Sequence, residues 1–119
     1  MPNRRIATVA VAALALAAPA LADSTPVGPL PAGPSSTIQT QKGQLVSFAL
    51  PHRTGGRVWR IARPFDSHVV RQVSEADVGA NVVLVFEATG SGKTTVSFGL
   101  TRGETAKAYE SRRFTVIVK

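Results

Sequence analysis

The stretch Leu50-Pro51-His52-Arg53-Thr54-Gly55-Gly56-Arg57-Val58-Trp59 reads as a loop joining two β-strands. Pro51 has no N–H to give to a sheet ladder, and Gly55-Gly56 admits positive φ and a tight reversal. Residues 44–50 before the loop and Val58-Trp59-Arg60-Ile61 after it are short apolar-rich runs. Trp59, the only tryptophan in the chain, follows the two glycines closely enough for its ring to pin the base of the loop to a core. Taken alone, these residues describe a strand connection with a core tryptophan.

Outward from that loop the punctuation is all-β. Candidate strands cover residues 37–41, 44–50, 57–62, 67–73, 81–88, 94–101 and 112–119. Val46, Phe48 and Leu50 alternate with Ser47 and Ala49, and Val96, Phe98 and Leu100 alternate with Ser97, Gly99 and Thr101. Phe114, Val116 and Val118 keep the same period of two, although Ile117 interrupts the polar face. Residues 82–86 are apolar on both faces, the pattern of a central strand covered on both sides. Ser74-Glu75-Ala76-Asp77 is expected to form a single helical turn. Seven short strands separated by turn residues predict an antiparallel β-sandwich of the immunoglobulin-like kind, with Trp59, Phe48, Phe86, Phe98 and Phe114 in its core.

Residues 1–22 carry an export signal: Arg4 and Arg5, an apolar run over 6–18, and Ala20-Leu21-Ala22 before Asp23. The run is too short to span a membrane and ends at Pro19. Cleavage near Ala22/Asp23 would release a secreted or periplasmic protein. Removing 22 of the 119 residues leaves 97, enough for one domain, and takes the formal net charge from +7 to +5. The chain has no cysteine, which excludes disulfides, a lipoprotein anchor and thiol chemistry, so the fold must rest on its core. Residues 23–36 hold Pro26, Pro29, Pro31 and Pro34 with Gly28 and Gly33, the composition of an extended spacer that joins no core. The folded domain is thus expected over residues 37–119, as a monomer.

Three functional classes fall away. Gly90-Ser91-Gly92-Lys93-Thr94-Thr95 imitates a phosphate-binding loop, but Glu87 stands where the first glycine belongs, and a strand rather than a helix follows. Nucleotide binding is not expected. The basic residues are scattered singly apart from Arg112-Arg113, with no interleaved aromatic stripe, so nucleic acid is not expected either. His52 and His68 are the only histidines, no metal-ligand spacing or nucleophile elbow is present, and the carboxylates form no close apolar pair. The chain is read as a non-enzyme without cofactor or metal.

The loop and its surroundings resemble the chagasin-type inhibitors of papain-like cysteine proteases. There the corresponding stretch runs G-E-L-x-x-x-L-P-x-N-P-T-T-G-x-x-W. Gly43, Leu45, Leu50, Pro51, Thr54, Gly56 and Trp59 match once one residue is dropped after Pro51, while His52-Arg53 replace Asn-Pro and Gly55 replaces the second Thr. Residues 92–102 and 111–116 follow the family's closing pattern without a gap.

The resemblance implies three loops at one end of the sandwich that wedge into a protease cleft. The first maps to His52, Arg53, Thr54, Gly55 and Gly56. The second maps to Gly79, Ala80 and Asn81, and the third to Arg102, Gly103 and Glu104, where the family's Pro-Trp is lost. It further implies a papain-like cysteine protease as partner and reversible competitive inhibition as mechanism. The alternative is a non-inhibitory immunoglobulin-like binding or adhesion module of the cell envelope. The two are separated by whether the third loop lies beside the first.

Overall fold

The computed structural model describes residues 25–119; the export signal lies outside the described residues. Seven strands follow in order: β1 (Ser35–Thr40), β2 (Leu45–Pro51), β3 (Arg57–Ile61), β4 (Val70–Val78), β5 (Asn81–Ala88), β6 (Gly92–Arg102) and β7 (Ala108–Val118). They form two sheets, one ordered β1-β7-β6-β3 and the other β2-β5-β4. All neighbours are antiparallel except β1 and β7, which run parallel from Ser35↔Arg113 to Thr40↔Val118. The expected all-β sandwich is therefore present.

The inner faces meet in an aromatic centre. Phe48 on β2 stacks on Phe114 of β7 with ring centroids 4.3 Å apart, and meets Phe86 of β5 at 5.4 Å and Phe98 of β6 edge-on at 6.0 Å. Val46, Leu50, Val70, Leu84, Val96, Val116 and Val118 fill the space around these rings. Alternation along the strands decides this, since each inward residue is flanked by residues of the opposite face. Of the five aromatic residues expected in the core, Phe48, Phe86 and Phe98 are buried, whereas Trp59 and Phe114 are half-buried and pack on the cluster from its border.

Three expectations are corrected. Residues 74–77 make no helical turn; they continue β4, paired Ser74↔Val85 to Asp77↔Val82 past a bulge between Gln72 and Ser74. Four residues cannot offset the cost of nucleating a helix, while the ladder satisfies their backbone groups at once. Strand β5 is central in its sheet, but the outer face holding Val83 and Val85 is only half-buried. The proline-rich stretch is also no detached spacer, because Val27 is 9% exposed and the chain from Thr25 onward lies against the outer face of the four-stranded sheet. Prolines remove donors but leave carbonyl acceptors, and that sheet face supplies donors to them.

The Gly-Lys-Thr stretch opens β6, so no helix N-terminus follows it. None of the elements among the described residues is a helix long and apolar enough to cross a membrane.

Candidate functional site

Strand direction fixes which connections share an end. The β2–β3, β4–β5 and β6–β7 connections lie together, and those joining β1–β2, β3–β4 and β5–β6 lie at the opposite end. The three stretches singled out in the sequence thus converge on one end, and every residue of 52–56, 79–80 and 102–107 is exposed there.

The first loop, residues 52–56, crosses from one sheet to the other and sits between its two neighbours. At its start the His52 N–H donates to the Ala80 carbonyl (2.9 Å); at its end the Gly56 carbonyl accepts from the Gly103 N–H (3.1 Å). Gly55 and Gly56 take φ of 78° and 72°, the left-handed region that side chains disfavour. The second loop is the two-residue turn Gly79-Ala80, with Gly79 at φ 60°. Asn81, expected on that loop, is instead the first residue of β5, opposite Pro51 and Val78. Two residues suffice to reverse a hairpin, so nothing is left for a longer loop. In the third loop, Arg102 closes β6 and Gly103 turns the chain at φ 56°. The Thr105 N–H and hydroxyl both donate to the Arg102 carbonyl (3.2 and 2.8 Å), making a self-bonded turn that carries Glu104 outward.

Trp59 closes the base of the first loop, since its Nε1–H donates to the Pro51 carbonyl at 2.8 Å across the two strands. Because the ring is half-buried, Trp59→Ala is expected to cost about 2–3 kcal/mol, below the range for a fully buried ring. Trp59→Phe, which keeps most of the apolar contact and loses the donor, should cost about 1 kcal/mol. Urea midpoints of the two variants at unchanged slope measure both.

His52 and Arg53 brace the loop in opposite directions. His52 Nε2 lies 3.1 Å from Asp77 Oδ1 on β4, and Arg53 forms a two-pronged pair with Glu110 on β7 (Nε–Oε2 2.8 Å, Nη2–Oε1 3.0 Å). These residues stand where the resembled pattern has Asn-Pro, and they replace a ring constraint with one tie to each sheet. Sequence alone could not pair Arg53 with Glu110, because 57 residues separate them and only the topology brings them together.

The Arg53 hydrogen bonds hold the Glu110 carboxyl below its ordinary value of 4.5; burial opposes the shift, and the charges of Arg53, Arg112 and Arg57 reinforce it. A carboxylate with a lowered folded-state pKa stabilises above its unfolded value, and the stabilisation disappears as pH falls through the folded one. Glu110→Gln is therefore expected to lower the melting midpoint at neutral pH and to flatten its decline below about pH 4.5. Thermal scans from about pH 7 to about pH 3 check this, and parallel acid limbs for both proteins would contradict it.

Further residues that the motif reading missed lie on the third-loop side. The Arg57 guanidinium stacks 4.0 Å from the centre of the Tyr109 ring, and Lys107 Nζ lies 5.0 Å from it. Tyr109 is the extra residue of a bulge, where β7 skips it between Ala108 and Glu110. Such a ring, half-buried here, could have been suspected as an aromatic beside a turn, but its partners could not. A cleft of about 140 Å³ opens beside the first loop, between Trp59 and Arg57 on one side and Glu75 and Asp77 on the other. Among the described residues no group of three or more His, Cys, Asp or Glu could hold a metal ion.

No protein-family model matches the chain, and no curated protein matches it. Among solved structures, the chain is similar to the cysteine protease inhibitor EhICP2 from Entamoeba histolytica, with a TM-score of 0.53 at 13% identity. That similarity covers 75% of this chain and 99% of the other, and what it establishes is a shared fold, in this chain a seven-stranded two-sheet sandwich.

Proposed function

We propose that this protein is a reversible, competitive inhibitor of papain-like cysteine proteases, acting through the three-loop end of the sandwich. The observation that carries the reading is the convergence of three exposed loops in which the first is bonded to the second at one edge and to the third at the other. The fold shared with a cysteine protease inhibitor supports it. In this reading the first loop enters the cleft with Thr54 and the Gly55-Gly56 backbone at its tip and presents no scissile bond in register. The second and third loops bear on the rims.

The third loop lacks the large apolar residue of the resembled pattern. Half-buried Tyr109, with Arg57 and Lys107 within 4.0 and 5.0 Å of its ring centre, is the aromatic group on that side instead. Export and cleavage near Ala22/Asp23, release as a secreted or periplasmic monomer, and action on a protease met outside the cytoplasm belong to the same proposal. A third loop lying away from the first would have favoured the adhesion-module alternative; Gly103 is instead hydrogen-bonded to Gly56, which favours the inhibitor reading.

The test is a titration of residues 23–119 against papain and a cathepsin L-type enzyme. Inhibition relieved by excess substrate, and weakened by Thr54→Arg or Arg102→Glu, is the expected outcome. No inhibition of several such enzymes at high micromolar protein would remove the activity and leave the fold in place.

A further inference from the structure

We infer that residues 25–34 are a positioning strap for the third loop, and that Arg60 is the residue coupling strap to loop. For its effect on inhibition this rests on the protease-inhibitor reading; as a statement about loop order it does not.

The strap offers the sheet mostly acceptors, because four of its ten residues are prolines without an N–H. The sheet answers with donors. Arg63 bonds the Val27 and Gly28 carbonyls (3.1 and 2.9 Å), the Ser111 hydroxyl donates to the Pro31 carbonyl (2.7 Å), and the Arg113 N–H donates to the Pro34 carbonyl (3.1 Å). Close approach is allowed by glycines. A Cβ on Gly99 of β6 would lie 3.0 Å from Val27 Cγ1 and 3.1 Å from Leu30 Cδ2, and one on Gly33 would run into the Ser111 backbone carbonyl. Ser97, Thr101 and Ser111 are buried on this outer sheet face, which a solvent-facing sheet surface would leave exposed.

At its amino end the strap meets the third loop. The Gly28 N–H donates to the Ala106 carbonyl (2.7 Å). One guanidinium then ties the pieces together, with Arg60 Nη1 on the Thr25 carbonyl (2.7 Å), Nη2 on the Thr105 carbonyl (2.7 Å) and Nε on Thr101 Oγ1 (3.0 Å). The Thr101 hydroxyl in turn donates to the Gly103 carbonyl (2.6 Å), so the root, turn and far limb of the loop share a network that runs through Arg60. The loop also holds its internal Thr105–Arg102 pair and the Gly103–Gly56 contact. With the strap displaced, Ala106 and one arm of Arg60 lose their partners, and a loop pivoting on Gly103 gains freedom that binding would have to remove.

The experiment compares the wild-type protein with Arg60→Met and Gly33→Val, each tagged after Lys119, which lies at the end away from the loops. Amide hydrogen exchange of Gly28 reports the strap, that of residues 105–107 the loop, and that of Leu84 and Phe86 the core. Release of Gly28 with roughly tenfold or faster exchange at 105–107, while the core amides stay protected, is the expected result. Inhibition of papain should weaken roughly tenfold in the same variants. Loop exchange at the wild-type rate despite a released Gly28 would overturn the inference, as would a Gly28 amide still protected in both variants. If the wild-type protein inhibits nothing, the exchange data still decide the strap, and only the inhibitor reading fails.

Discussion

Phe48→Ala is expected to destabilise the protein by about 3–5 kcal/mol, the largest loss from any single core truncation. Phe48 is 1% exposed, and its ring touches aromatic side chains from three other strands: Phe86 on β5, Phe98 on β6 and Phe114 on β7. Truncation removes those ring contacts and leaves a void at the point where the sheets meet. The rings around it are held by their own strands and can collapse only partly. With no disulfide to limit the unfolded chain, the whole loss falls on the packing. The melting midpoint should fall by more than about 12 °C for a domain of this size. A loss below about 1 kcal/mol would place the centre of the core elsewhere.

Gly56→Val is expected to weaken protease inhibition tens of fold while costing only about 1–2 kcal/mol of stability. Gly56 sits at φ 72° with nothing within 4 Å of a Cβ built on it, so the penalty comes from the backbone and not from a clash. A β-branched residue relieves the strain by rotating the peptide, and the Gly56 carbonyl then leaves the Gly103 N–H. The tip of the first loop and its tie to the third loop move together. Gly43→Val is the matched control, because Gly43 has φ 93°, equally open surroundings and a place in the turn at the opposite end. It should lose comparable stability and inhibit as the wild type does. Equal inhibition by both variants would separate the first loop from function.

The alternation of Phe48, Phe98 and Val116 made the sandwich legible, because a period of two with one apolar face allows little else. The loops were legible as loops for the same reason: Pro51 and Gly55-Gly56, then Gly79 and Gly103, break the pattern where the chain must turn. What was not legible depends on partners distant in sequence. Local composition makes residues 25–34 look like a spacer, since the donors that bind it come from Arg60, Arg63, Ser111 and Arg113. Residues 74–77 look helical until β5 lies beside them. His52-Arg53 look like a loss relative to Asn-Pro until Asp77 and Glu110 are seen to receive them. Trp59 was rightly read as pinning the loop's base, but its indole N–H bonds the Pro51 carbonyl and its ring stays at the border of the core.

The most direct test of the wedge is an NMR footprint of the 15N-labelled protein titrated with papain whose catalytic cysteine is blocked. Shift changes or line broadening centred on residues 52–56, 79–80 and 102–107, with residues 41–44 and 89–91 at the opposite end unchanged, is the predicted result. Changes centred on that opposite end or on the exposed face of β4, or none at the three loops when papain is in excess, would contradict it.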